Sequence, residues 1–481
     1  MAQKEYLGTF TVDQEFTNKF AKLSGDSNPL HMDPVAARRY QYGTTVVHGI
    51  CSTFKAIELL LATAPHKMSL SDIKIQFNRP IRHDDVVEVC RSFNEQIHRI
   101  ELLTNGKRSQ VISLTLEEEQ PSKSSPNTSN TATNTTTLNH YSFAQAAEAI
   151  GSVKLNWDQN LATELFPNAI EKLPLNQIEA LLNTTLIVGM KCPGMNSIFG
   201  GLNLSFHKTQ TNSLPTLNYQ VTSSDERFNQ LVIGVNNTTC DGEIEAFYRA
   251  PPIDQPAFTD IKPLLSGSEF KNQRALVIGG SRGLGEITAK LLAAGGANTV
   301  ITYASGKEDA ERVAREINEN NGTCLPTHYD VLAPNSDIIT CFNKQQITHI
   351  YYLASPIIAK SEQPLWDHKL FSKFCSYYLT GLSNLLTTYV EDTRHKESPL
   401  TVFTPSTIFL SKPIKGFGEY CAAKAAAEIF TQNMAKSHPR WIFQTPRLPR
   451  MMTDQTSGVV TTNPMETVKV MLQEILPLPL S

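Results

Sequence analysis

Four consecutive apolar residues, Ala275-Leu276-Val277-Ile278, run without a break into Gly279-Gly280-Ser281-Arg282-Gly283-Leu284-Gly285, and an apolar helical pattern through Lys290-Leu291-Leu292 follows. Few foldings satisfy that order. It asks for a buried strand, then a glycine turn whose backbone can pass close to another group, then a helix whose first N–H groups face the turn. Such a turn can approach a pyrophosphate. Downstream of it, strand and helix patterns alternate, which predicts a doubly wound α/β domain over residues 272–481.

The chain before this point is built differently. Residues 121–138 are a Ser/Thr/Asn/Pro tract with almost no apolar residue, unable to bury enough surface to fold, and read as a flexible linker. Ahead of the tract, in residues 1–120, a helical pattern from about Gly49 to Thr63 repeats Ile50, Phe54, Ile57, Leu60 and Leu61 at helix spacing. Four strand patterns follow it, at Ile73 to Phe77, Val86 to Val89, Ile97 to Leu103 and Val111 to Leu116. After the tract, in residues 139–252, the order recurs: a helix over Asn176 to Gly189, then strands at Leu202 to Phe206, Leu217 to Val221, Leu231 to Val235 and Ile244 to Tyr248. Residues 253–271, with Pro256 and Pro263, read as a connector.

Chemistry first shows in Gly25-Asp26-Ser27-Asn28-Pro29-Leu30-His31, a carboxylate five residues ahead of an imidazole across an Asn-Pro turn. Pro29 fixes its own φ and holds Asn28 extended, so both side chains can be aimed into one cleft as an acid/base pair. With Val47-His48-Gly49 following, this stretch resembles the MaoC-like, (R)-specific enoyl-thioester hydratases of the hot-dog fold. The resemblance implies one helix wrapped by an antiparallel sheet, with Asp26 and His31 activating a water for syn addition across a 2,3-double bond, or removing it in reverse. Gly49 matches the position where a helix N-terminus polarises the thioester carbonyl. His48 either packs at the helix entrance or orders the site. Residues 139–252 resemble a second hot-dog unit, and Val188-Gly189-Met190-Lys191-Cys192-Pro193-Gly194 is similar to a stretch in double hot-dog relatives. No second Asp-x-Asn-Pro-x-His occurs, so this unit is expected to complete the sheet and one wall of an acyl channel.

The spacing Gly279-x-x-x-Gly283-x-Gly285, with Tyr420-x-x-x-Lys424 downstream, resembles the short-chain dehydrogenase/reductases. The resemblance implies a Rossmann-type fold in which Tyr420 protonates a carbonyl oxygen and Lys424 lowers its pKa and holds the nicotinamide ribose. Ser406, at the end of the strand Thr401-Val402-Phe403, is the expected catalytic hydroxyl, and Thr407, which has the family's usual spacing to the Tyr, is the alternative. Gly279, Ser281, Arg282, Gly283, Leu284 and Gly285 form the phosphate turn, Asp330 and Val331 resemble the adenine-contacting pair, and Thr453 matches the residue holding the carboxamide. The second strand ends in Ala304-Ser305-Gly306-Lys307 with no acidic residue, so Arg282, Ser305 and Lys307 suit a ribose 2′-phosphate and NADPH is the expected cofactor. Two segments depart from the family. Its Asn-Ala-Gly appears as Leu353-Ala354-Ser355-Pro356, and the Asn of its proton relay as Tyr378.

A net charge of −3 with no basic run gives no reason to expect nucleic acid or a membrane surface as partner. Eight Cys without a Cys-x-x-Cys pair argue against zinc and against a disulfide scaffold, and a cytoplasmic setting is expected. The combined reading is an α+β double hot-dog followed by an α/β Rossmann-type sheet. The expected activity is reduction of a 3-oxoacyl thioester and dehydration of the (R)-3-hydroxyacyl product, on coenzyme A or acyl carrier protein, with a homodimer permitted. A hydratase carrying a silent nucleotide-binding module, and a non-catalytic acyl-binding partner, are the competing readings.

Overall fold

The computed structural model describes residues 4–94, 96–118, 137–208, 216–333, 336–361, 363, 365–391, 398–453 and 463–476. The linker expected over 121–138 therefore lies, apart from its last two residues, outside the described residues. The chain forms two compact units, Met1–Pro251 and Pro252–Ser481.

In the first unit, β1 (Glu5–Phe10), β2 (Met68–Phe77), β3 (Val87–Asn94), β4 (Ile97–Thr104) and β5 (Lys107–Glu118) form one half of a sheet. The other half is β6 (Ile150–Val153), β7 (Ser197–Phe206), β8 (Leu217–Asp225), β9 (Gln230–Asn236) and β10 (Cys240–Tyr248). All ten join in the order β1-β3-β4-β5-β2-β7-β10-β9-β8-β6. Outward from the β2–β7 seam the two halves repeat one connectivity. That seam is antiparallel and pairs Ile73 with Leu204 and Ile75 with Leu202.

The register follows from alternation. In β2, Leu70, Ile73 and Ile75 are buried while Asp72, Lys74 and Gln76 face solvent, so a one-residue slip would turn the apolar set outward. Each half also contributes a long helix. Gly49–Leu61 buries Ile50, Phe54, Ile57, Leu60 and Leu61, and Leu175–Leu186 buries Ile178, Leu181, Leu182 and Leu186. The two helices and both halves of the sheet share one core. Phe54 meets Phe166 there with ring centroids 5.0 Å apart; each ring, fully buried, contributes about 2–3 kcal/mol. Sequence patterning missed the edge strands β1 and β6, because β1 is largely exposed and irregular at Gly8 and β6 has four residues.

In the second unit, β11 (Arg274–Ile278), β12 (Asn298–Tyr303), β13 (Thr323–His328), β14 (His349–Tyr352), β15 (Leu400–Phe403) and β17 (Trp441–Gln444) form a parallel sheet. Its order is β13-β12-β11-β14-β15-β17. The order reverses between β11 and β14, where such sheets leave a crevice at the carboxyl ends of the strands. Both faces are covered: Val277, Ile301, Tyr351 and Phe403 enter one core, Leu276, Val300, Ile350 and Val402 the other. Two short strands, β16 (Ser406–Thr407) and β18 (Arg447–Leu448), pair beyond the sheet.

Residues 253–271 are more than the expected connector. A short helix, Phe258–Ile261, buries both of its end residues in the core of this unit. The buried Lys290 donates to Pro256 O at 2.8 Å and pairs with Glu286 at 2.9 Å and Glu316 at 3.0 Å. Isolated apolar residues among prolines carry no periodic signal, which is why this packing was not readable in advance.

Candidate active sites

Asp26 follows Gly25, whose left-handed φ of 72° ends the helix Gln14–Ser24. The chain reverses there and turns the carboxyl inward, leaving Asp26 1% exposed. Asn28 then caps the short helix Pro29–Met32, accepting from Leu30 N at 2.9 Å. Its carboxamide donates to Gly189 O at 2.8 Å and Gly194 O at 3.1 Å, tying the loop to the second half of the sheet. His31 sits on that helix with Nδ1 2.7 Å from Val46 O. A carbonyl only accepts, so Nδ1 carries the proton and Nε2 is the basic nitrogen.

His48 lies against both His31 and Asp26. It is fully buried at the entrance of the helix Gly49–Leu61, its ring stacks on His31 at 3.8 Å, and its Nε2 donates to Asp26 O at 3.0 Å. One ligand-capable atom from each of Asp26, His31 and His48 lies within 4.8 Å of the others, a spacing that a single shared water can bridge. Gly49 opens the helix. No side chain caps that end, and the first turn bond runs from Ser52 N to His48 O at 3.2 Å. The N–H groups ahead of it therefore have no carbonyl one turn back to bond. Gly49 also has no room for a side chain, since a Cβ would stand 2.5 Å from the Phe77 ring.

The second half of the unit closes around the carboxyl. Thr185 donates from Oγ1 to Asp26 Oδ2 at 2.7 Å, and the Asn28 N–H reaches Oδ1 at 3.2 Å. The helix Leu175–Leu186 runs on into a π-helical turn, Ile187–Lys191, a local widening common at functional sites. Gly189 in that turn abuts the carboxyl so closely that a Cβ would lie 2.1 Å from Oδ1. Gly189→Ala is therefore expected to displace the Asp26 carboxyl and to cut any reaction that depends on it by on the order of a hundredfold, leaving the second unit unaffected; separate assays of the two units' chemistry check it. Thr185 and Gly189 were not anticipated as contacts of Asp26, although the glycine stretch from Val188 to Gly194 was singled out.

Burial sets the electrostatics. It pushes the Asp26 carboxyl up, against the opposing pull of His31, Thr185 and Asn28, and it pulls His31 down, against Asp26. His48 is held well below the ordinary imidazole range, first by burial and then by His31. A neutral imidazole beside a carboxyl of raised pKa is a pair between which a proton moves at little cost.

In the second unit, Gly279 and Gly283 take left-handed φ of 79° and 56°. A Cβ at Gly285 would lie 2.0 Å from Gly279 O. Gly279 N and Gly280 N, each 3.0 Å from Thr302, pin the turn to the end of β12. The helix Gly283–Ala294 starts without a side-chain cap, with Arg282 as its extended N-cap residue and Ser281 just before, so its first N–H groups suit a phosphate. Leu284, in its first turn, lines the adjoining cavity. Ser305 and Lys307 follow β12, and Lys307, 3.7 Å from Glu311, opens the helix Lys307–Glu319. Asp330 and Val331 follow β13: Asp330 accepts from Leu332 N at 2.9 Å and Val331 is buried. Because β11, β12 and β13 are neighbours, these residues gather at one edge of the sheet. Thr453 reaches the same place, 3.8 Å from where a Gly283 Cβ would be.

Beyond the turn lies a cavity of about 380 Å³, bordered among others by Ser355, Tyr378, Thr407, Tyr420 and Lys424. Tyr420 and Lys424 stand one turn apart on the helix Gly418–Ser437 and so share a face. Burial pushes the Tyr420 phenol up to about 12, opposed by a hydrogen bond with Thr407. Burial also pulls Lys424 down to about 7, opposed by Glu428, and Nζ donates to Pro405 O at 2.8 Å.

Both candidate hydroxyls, Ser406 and Thr407, border this cavity with Tyr420: Thr407 lies against the phenol and also accepts from Phe409 N at 3.2 Å, whereas Ser406 Oγ is buried without a hydrogen-bond partner among the described residues. The neighbouring Glu428 carboxyl is held low chiefly by Arg447.

Comparison with known proteins places each unit. Residues 3–109 match the model of the MaoC like domain, and residues 273–443 that of the short chain dehydrogenase. The 3-hydroxyacyl-thioester dehydratase Z of Mycobacterium tuberculosis is 29% identical over 118 residues, 24% of this chain and 76% of that protein. The 3-oxoacyl-[acyl-carrier-protein] reductase of Synechocystis is 29% identical over 167 residues, 34% of this chain and 67% of that protein. Versicolorin reductase stcU of Emericella nidulans is 38% identical over 79 residues, 16% of this chain; the chain spans 29% of its length.

Proposed function

Because this chain joins a MaoC-like domain to a short-chain dehydrogenase domain, we propose that it is a bifunctional acyl-thioester enzyme. Its second unit reduces a 3-oxoacyl thioester with NADPH, and its first removes water from the (R)-3-hydroxyacyl product to give the 2-enoyl thioester. The observation that carries this reading is that each unit holds its own acid–base pair, Asp26 with His31 and Tyr420 with Lys424. In this reading the first unit is a double hot-dog whose second half supports the catalytic first half.

In the direction of hydration, Asp26 and His31 hold a water and take one of its protons as the oxygen adds to C3. A proton reaches C2 from the same face, and the N-terminus at Gly49 polarises the thioester carbonyl. For the second unit, a tight glycine turn facing an uncapped helix N-terminus fits a dinucleotide, held by Gly279, Ser281, Arg282, Gly283, Leu284, Gly285, Asp330, Val331 and Thr453. Ser305, Lys307 and Arg282 would hold a 2′-phosphate. NADPH, when bound, supplies the hydride. Tyr420 gives its proton to the carbonyl oxygen, Thr407 holds that phenol, and the Lys424 ammonium draws its pKa down.

The thioester carrier is coenzyme A or acyl carrier protein, and a cytoplasmic homodimer is part of the proposal. Among the described residues no helix is long and apolar enough to cross a membrane. A second reading, hydration alone with a silent nucleotide-binding unit, is favoured by Tyr378 and Leu353-Ala354-Ser355-Pro356, where the family's relay residues are replaced. Mixing the protein with NADPH and a 3-oxoacyl thioester, then weighing the product, separates the two. Oxidation with an enoyl product supports the bifunctional enzyme. Hydration of a supplied enoyl thioester with no oxidation supports the second reading.

A further inference from the structure

Lys424 is a buried ammonium without a carboxylate of its own. The nearest candidate, Glu428 one turn along, is held at both oxygens by Arg447, from Nε at 2.9 Å and Nη2 at 2.8 Å. Tyr420 shares its helix, Lys360 and Arg450 line the same cavity as further cations, and the hydroxyls of Ser355, Ser406 and Thr407 are neutral. What lies against Lys424 instead is an aromatic face: Nζ stands 3.9 Å from the centre of the Tyr378 ring. Among the described residues the polar partner of the ammonium is Pro405 O. Burial alone lowers its pKa, and a ring face in a desolvated setting is one of few groups able to offset that loss.

Tyr378 is fixed for this purpose from several sides. It lies in a π-helical turn, Ser376–Gly381, and is 3% exposed. Its hydroxyl is 2.7 Å from Ser355 Oγ, so the pair of residues that departs from the family's pattern is one hydrogen-bonded unit. Its ring packs parallel to Phe374 at 6.0 Å and edge-on to Tyr420 at 6.0 Å. The ring therefore touches both members of the acid–base pair.

We infer that Tyr378 is a positioning residue of the reductase site: its ring face keeps Lys424 charged and in place beside Tyr420, and its hydroxyl, anchored on Ser355, holds the ring at that angle. The inference rests on the reading of the second unit as a reductase, but it is testable without turnover. Tyr378→Leu removes the face, Tyr378→Phe keeps it and removes only the hydroxyl, and Lys424→Arg assigns the signal. The ammonium of Lys424 is followed by 15N NMR of the full chain labelled at lysine Nζ, titrated from mildly acidic to alkaline pH so that the range spans both sides of its lowered pKa.

Tyr378→Leu is expected to lower the Lys424 pKa by about one unit relative to wild type, and Tyr378→Phe to restore it to within a few tenths. Where reduction occurs, the alkaline limb of its pH profile moves down by the same amount in Tyr378→Leu and stays in place in Tyr378→Phe. A Lys424 titration unmoved in Tyr378→Leu, with the variant folded by circular dichroism, overturns the inference. So does an equal shift in Tyr378→Phe, which would assign the effect to the hydroxyl. If no variant, wild type included, reduces a thioester, the reductase reading fails while the NMR comparison still decides the role of Tyr378.

Discussion

Asp26→Asn is expected to slow enoyl-thioester hydration by on the order of 10²–10⁴-fold, the usual worth of a positioned general acid or base. The change removes the one carboxyl of the Asp26–His31–His48 cluster and little else. The carboxamide has nearly the same shape. Its oxygen can accept from Asn28 N, as Oδ1 does at 3.2 Å, and the Thr185 hydroxyl, which donates to Oδ2 at 2.7 Å, can rotate to accept from the new NH₂. Stability gives the control. Burial raises the folded-state pKa of Asp26, so ionising it costs stability as pH rises past the unfolded value of about 3.9. Removing the charge lifts that cost at neutral pH, and the difference between the two proteins closes as the pH falls through the unfolded value. Denaturant titrations should therefore show the variant at least as stable as wild type near pH 7, where it has lost its activity. His31→Ala should be as inactive. A variant at either position that hydrates at the wild-type rate would sink the assignment of this site.

The first site was readable to the extent that it is local. Asp26, Asn28, Pro29 and His31 occupy one short loop, and the stiffness that aims them is written in the Asn-Pro step. Thr185 and Gly189 touch the same carboxyl from far along the chain, and they do so because β2 and β7 pair to make one sheet. A register between distant strands has no signature in a short window. The repeated order of helix and four strands pointed to the two halves but left open which side chains meet across them. In the second unit the strand–glycine turn–helix order was sufficient for the sheet edge, since Gly279 and Gly285 answer to close backbone contacts and Gly283 to a left-handed φ. The two candidate hydroxyls are harder to separate: Ser406 and Thr407 form the two-residue strand β16 beyond the end of β15, and both border the cavity that holds Tyr420.

Tyr420→Phe is expected to slow hydride transfer by on the order of 10²–10⁴-fold and to leave NADPH binding nearly unchanged. With its pKa raised to about 12, the phenol is fully protonated at neutral pH and ready to donate. The ring that remains keeps its edge contacts with Phe374 at 5.5 Å, Tyr378 at 6.0 Å and Phe409 at 6.3 Å, so the cavity keeps its shape. What disappears is the proton for the carbonyl oxygen, and with it the group on which Thr407 and Lys424 act. The pH dependence should follow Lys424. As its ammonium is lost with rising pH, the phenol becomes a poorer acid and wild-type reduction falls, whereas the residual rate of Tyr420→Phe has no phenol left to respond. The two large-effect variants also test each other. Asp26→Asn should convert a 3-oxoacyl thioester only as far as the 3-hydroxyacyl product, and Tyr420→Phe should leave it unreduced while still hydrating an enoyl thioester. Because the intermediate can leave one protein and enter another, an equal mixture of the two variants should recover the enoyl product that neither makes alone. If the mixture stops at the hydroxyacyl stage, the dehydration step does not belong to Asp26 and His31; if it consumes no NADPH, the reduction step does not belong to this chain.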